Sequence, residues 1–258
     1  MTARVAVVTP YYREDEAVLR ACLDSVKKQS IPCRHVMHAD GFPVSYIGEY
    51  DVDHIVSSKP HRDNGNFGRG VGALHAFQQD CDYVAFLDAD NWLAPNHCET
   101  LVATLERSGA HIAASGRAIC SLSGEVMLPF DPTSDGVSFA DTSTLMVRKT
   151  LMPLMLLWTA MPRQMGPACD QLFWMALQAR GIKVAPSGLP TMFFRSQYAN
   201  PCRVLGKPVP DGAKEKDEMD ATIAFWHTLP LAERDALMKT IGAVPDLAPL
   251  PARTPNAA

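Results

Sequence analysis

Asp88-Ala89-Asp90 sets two carboxylates one small residue apart, directly after the apolar run Tyr83-Val84-Ala85-Phe86-Leu87. At the end of a buried strand, carboxylates so spaced point to one side of an extended turn. Hard oxygen donors of that kind suit a divalent cation, Mn²⁺ or Mg²⁺, which also accepts phosphate oxygens. The plainer alternative is a solvated turn in which Asp90 or Asn91 caps the next helix. Asp170 poses a similar choice, since it stands just before an apolar helical run and could be no more than its cap. The stretch 61–72 places Arg69 among glycines ahead of a helix, where a guanidinium and free backbone amides could face a diphosphate. A surface loop made flexible by glycine is the rival. A dinucleotide fingerprint is not, because Gly68, Gly70 and Gly72 have the wrong spacing and follow a long loop rather than a strand.

Other chemistries lack residues. The seven cysteines form no CxxC pair, so structural zinc and a redox motif have no footing, and they read as buried free thiols of a reducing cytoplasm. The eight histidines show neither HxxxH nor HExxH spacing, which removes a zinc hydrolase. The 24 basic and 28 acidic residues leave a net charge of −4, which argues against a nucleic-acid partner. No apolar run has the length of a transmembrane segment. Trp92, Trp158 and Trp174 could stack on sugar rings, but core packing is the better expectation for each.

The elements that must position these residues alternate in type. Short β-branched or apolar runs at 5–8, 33–38, 53–57 and 83–87 read as strands, and 14–28, 73–79 and 95–107 as helices. That rhythm predicts an α/β fold with a mostly parallel central sheet flanked by helices. Ligands in such sheets bind beyond the carboxyl ends of the strands. Thr9 to Tyr12, Asp40, the 59–72 loop and Asp88 to Asn91 therefore converge on one crevice. Further on, 111–120 and 126–130 suggest a hairpin, followed by a strand at 138–147, helices at 149–158 and 171–180, and strands at 182–185 and 191–194. Two short helices divided by Pro230 are expected over 214–241, then a loose tail rich in proline and alanine.

With these motifs in order, the chain resembles the inverting glycosyltransferases of family 2, which have the GT-A fold. The opening Val5-Ala6-Val7-Val8-Thr9-Pro10-Tyr11-Tyr12-Arg13 and the helix around Leu19 to Gln29 resemble the family's first strand and helix. Asp40-Gly41 is similar to the acid after its second strand, Phe86 to Asn91 to its DxD motif, and Cys169-Asp170-Gln171-Leu172-Phe173-Trp174 to its later acidic segment. The likeness runs from about residue 4 to 195. It implies a GT-A domain over 1–206, with a nucleotide-binding half at 1–91 and an acceptor half at 92–206, then a helical appendage at 207–244 and a flexible tail at 245–258.

The resemblance also implies roles. Thr9, Pro10 and Tyr11 would line the nucleotide pocket with Arg69 and Ala89, and Asp40 would bond the base. Asp88 would approach the ribose or the metal, and Asp90 would ligate Mn²⁺ or Mg²⁺. Asp170 would be the general base, while Thr142, Ser143 and Trp174 would meet the acceptor. The implied partners are a nucleotide diphosphate sugar, UDP-linked before GDP-linked, and a glycan, lipid-linked or small-molecule hydroxyl acceptor. A homodimer, and a cytoplasmic site at the inner face of the membrane, are the accompanying expectations. Two departures stand out: Cys169 replaces one acid of the usual pair, and 193–196 lacks the histidine some relatives use as a metal ligand, leaving Arg195 to meet the phosphates. They keep a catalytically silent nucleotide-binding module as the alternative. A nucleotidylyltransferase is the second rival, and it lacks the glycine-rich basic loop after the first strand.

Overall fold

The computed structural model describes residues 3–215 and 219–242. The first strand, β1 (Val5–Tyr11), is buried along its whole length. Its side chains alternate between two cores, as the period of a strand requires: Ala6 and Val8 face one cluster, Val5 and Val7 the other. After α1 (Glu16–Lys27) come β2 (Cys33–Ala39) and β3 (Val52–Val56), then α2 (Asn66–Gln78) and β4 (Tyr83–Phe86). The short β5 (Trp92–Leu93), α3 (His97–Ser108), β6 (Ile112–Cys120), β7 (Val126–Leu128) and β8 (Leu145–Arg148) follow. The chain ends with α4 (Leu156–Ala160), α5 (Cys169–Ala179), β9 (Val184–Arg195), α6 (Ala199–Val204), α7 (Met219–Thr228) and α8 (Leu231–Ile241).

These strands form one mixed sheet in the order β3-β2-β1-β4-β8-β6-β9-β5, with β7 added to β6. β1 pairs in parallel with both β2 and β4, and β2 with β3. β8 runs antiparallel to β4 and β6 and so joins the two halves. The chain leaves β1 in one direction and returns as β4 on its other side. That switch point opens a crevice past the strand ends. One face of the sheet is covered by α2, α4 and α5, with Phe77, Trp158 and Phe173 at its centre, and the other holds Leu101 and Leu105 of α3. Trp226 of α7 and Leu237 and Ile241 of α8 join the first cluster, so the C-terminal helices share the main core.

Several elements differ from expectation. α2 starts at Asn66, not Ala73, because its glycines permit close approach: a Cβ on Gly72 would lie 2.5 Å from Val8 Cγ1, and one on Gly68 would lie 2.6 Å from His38 Nδ1. The expected 138–147 strand forms only over Leu145–Arg148, after a 3₁₀ turn at Thr142–Thr144. The expected 149–158 helix is a 3₁₀ segment, Lys149–Met155, before α4, with Pro153 inside it. The two final strands are one, β9, whose register on β6 shifts near Gly116. The expected tail at 245–258 lies outside the described residues.

Candidate active site

A cavity of about 770 Å³ lies at the switch point. One wall is built from Pro10, Tyr11 and Tyr12 at the end of β1, Asp40 after β2, Arg69 on α2, and Asp88, Ala89 and Asp90 after β4. Its opposite wall carries Arg117, Asp141, Thr142 and Asp170. Nine of the twelve expected site residues therefore meet in one space: Pro10, Tyr11, Asp40, Arg69, Asp88, Ala89, Asp90, Thr142 and Asp170.

Three do not, and each has a physical reason. Thr9 is fully buried two residues short of the end of β1, and its hydroxyl bonds His35 Nε2 at 2.9 Å. Ser143 is also fully buried; its Oγ accepts the Asp88 N–H at 3.0 Å and so shapes the carboxylate turn instead of an acceptor. Trp174 faces inward from α5 and packs edge-on to Phe139 in the core. Trp158 is stacked on Phe173 with ring centres 4.2 Å apart, and Trp92 on Phe193 at 5.3 Å.

The charges of the first wall are interlocked. Arg69 is buried and forms an ion pair with Asp88, while its Nη1 donates to the Asn64 carbonyl at 2.7 Å. It is thus committed to the carboxylate turn rather than presented freely to a ligand. Arg195 is spent as well: Nε donates to the Asp90 carbonyl at 3.0 Å and Nη1 to the Leu122 carbonyl at 2.6 Å, so it does not reach the cavity. Asp40 accepts the backbone N–H groups of His61 at 2.7 Å and Arg62 at 2.8 Å, plus the His61 ring at 3.0 Å. Burial pushes its carboxyl up, but these donors outweigh it and hold the group below the usual carboxylate range.

Asp90 and Asp170 behave differently from Asp40. Burial pushes the Asp90 carboxyl up to about 7, the charge of Asp88 adds to the shift, and the Gln197 amide, donating to Oδ2 at 2.7 Å, partly offsets it. Glu14 is raised too, first by burial, and the charge of Asp88 adds to that. Asp170, half-buried at the start of α5, accepts only the Gln171 N–H at 2.7 Å. Burial and then the charge of Asp141 push it up to about 7.

The donor set fits a hard cation. Asp88 and Asp90 supply only oxygen, and the repulsion that raises Asp90 is what a divalent ion relieves. Among the described residues no group of three or more His, Cys, Asp or Glu side chains encloses a metal site. Such a cation would complete its shell from a ligand's oxygens and water. Gln197, Tyr198 and Lys214, which close the cavity mouth or brace it, carry no motif that sequence reasoning could have found.

The parallel half-sheet, the switch-point crevice and the paired carboxylates at its rim are features of a GT-A fold. Residues 6–131, just under half of the chain, match the model of glycosyl transferase family 2. The succinoglycan biosynthesis protein ExoW of Rhizobium meliloti (strain 1021) is 29% identical over 102 residues, covering 37% of this chain and 32% of that protein. The chain thus spans about a third of the length of that curated relative. Among solved structures, S. aureus TarS 1–349 in complex with UDP superposes with a TM-score of 0.58 at 14% identity, over 92% of this chain and 70% of that one. The same protein in complex with UDP-GlcNAc gives 0.56 at 16% identity, over 94% and 82%. At these identities the likeness establishes the shared fold.

Proposed function

We propose that the chain transfers a sugar from a nucleotide diphosphate donor, UDP-linked before GDP-linked, to a hydroxyl acceptor with inversion at the anomeric carbon. The observation that carries this reading is one cavity with Asp88 and Asp90 on one wall and Asp170 on the other. The UDP and UDP-GlcNAc complexes of S. aureus TarS support the choice of base.

Pro10, Tyr11 and Asp40 bind the nucleoside end. Asp90, with Asp88 beside it, would hold Mn²⁺ or Mg²⁺, which when bound neutralises the leaving diphosphate. Asp170 takes the proton from the acceptor hydroxyl as that oxygen attacks the face opposite the leaving group. A carboxyl titrating near 7 is matched to that work: it is basic enough to draw the proton, and largely ionised just above neutrality. Thr142, which lines the cavity, contacts the acceptor.

Calorimetric titration of UDP and of GDP, first with Mn²⁺ and then with EDTA, tests the donor side. Binding of UDP that weakens at least tenfold in EDTA is the expected result. Failure of both nucleotides to bind would end the transferase reading.

A further inference from the structure

Arg117 of β6 lies in the acceptor wall, and both of its used edges end on carboxylates. Nε donates to Asp131 Oδ2 at 2.8 Å and Nη1 to Asp141 Oδ2 at 2.6 Å. Both acids are buried and the guanidinium nearly so. The second oxygen of Asp141 accepts the Ser143 N–H at 2.8 Å, and Ser143 Oγ accepts the Asp88 N–H at 3.0 Å. A continuous chain of hydrogen bonds therefore runs from the acceptor wall to the carboxylate turn of the donor wall. Fold stability alone is a poor reason for it, since buried ion pairs repay their desolvation badly compared with apolar packing. Arg117 and Asp141 also line the same cavity as Asp170.

We propose that the Arg117–Asp141 pair is a positioning unit for transfer, tying the acceptor wall to the Asp88 turn and setting two opposing charges beside Asp170. This rests on the reading of Asp170 as base. The charged groups facing Asp170 are Asp141 from the turn before β8, Arg117 from β6 with Asp131 behind it, and Arg69 from α2. On its own helix stands Cys169, whose thiol burial pushes up to about 12 and keeps neutral, and Lys214 lies at the rim. The Asp141 charge raises the proton affinity of Asp170, while Arg117 and Arg69 lower it. Removing Asp141 and removing Arg117 must move Asp170 in opposite directions.

The test is the titration of Asp170 itself in the full chain, labelled with ¹³C at aspartate carboxyl carbons and assigned by the resonance lost in Asp170→Asn. The Asp170 midpoint should fall by about half a unit or more in Asp141→Asn and rise by a similar amount in Arg117→Gln. Arg117→Lys, which keeps the charge, should return it close to the original value. Asp141→Asn is nearly isosteric and decides the matter alone if Arg117→Gln does not fold. An unmoved midpoint in Asp141→Asn, or shifts of the same sign in both variants, would overturn the proposal. The base reading fails separately, through an Asp170→Asn variant that releases UDP from a UDP-sugar at the original rate.

Discussion

The two walls of the cavity repeat one arrangement with one difference. On the donor wall Asp90 titrates near 7 beside Asp88, whose charge is met by Arg69. On the acceptor wall Asp170 titrates near 7 beside Asp141, whose charge is met by Arg117. The difference lies in what holds the titrating carboxylate. Gln197 pins Asp90 from another segment, whereas Asp170 accepts a single bond, from its own helix. A fixed, acid-flanked carboxylate suits coordination, and one left open toward the cavity suits proton transfer. In the proposed mechanism, similar proton affinities serve different work because the hydrogen-bond partners differ.

The sharpest way to break this contrast is Asp170→Asn. Turnover, followed as UDP release, should fall by about 10²–10⁴-fold, the usual worth of a general base, while UDP binds as before. Asp90→Ala should act on the other wall: affinity for UDP in Mn²⁺ should drop at least about tenfold, toward the value in EDTA. Between these two stands pH. Turnover should fall about tenfold for each unit below 7 as Asp170 gains its proton, while remaining level above 8. A rate profile flat from pH 5 to 8 would separate Asp170 from the chemistry.

Two smaller effects sharpen the comparison. Ser143→Ala removes the acceptor of the Asp88 N–H, and thermal or urea unfolding should show a loss of about 1–3 kcal/mol. Asp170→Asn should stabilise the fold. The carboxyl titrates near 3.8 when unfolded and near 7 when folded, so the native state carries a penalty that grows between those values and is complete above pH 7. Melting at pH 8 should therefore rise by several degrees in Asp170→Asn, and the gain should shrink toward pH 4.

Much of the donor wall was legible because strand ends in a parallel sheet carry their ligands in the adjoining residues. Apolar runs marked β1, β2 and β4, and Pro10, Tyr11, Asp40, Asp88 and Asp90 lie just within or beyond them. Side-chain direction within those ends was less legible. Thr9 is spent on His35 of the neighbouring β2, a cross-strand partner that no local pattern announces. The start of α2 was hidden for the same reason: glycine reads as loop locally, and only the 2.5 Å approach of a would-be Gly72 Cβ to Val8 shows why it belongs in a helix. The acceptor wall depends on longer-range contact. Arg117 and Asp141 lie 24 residues apart, and no local pattern joins them. Ser143 had the right neighbourhood and the wrong partner, since it serves the Asp88 turn.

The central claim is that the walls divide the work, and one parallel titration tests it most directly: UDP into Asp90→Ala and Asp170→Asn, each with Mn²⁺ and with EDTA. Asp170→Asn should keep metal-dependent binding of near-original affinity, and Asp90→Ala should bind weakly and indifferently to metal. Equal loss of affinity in both variants would contradict it.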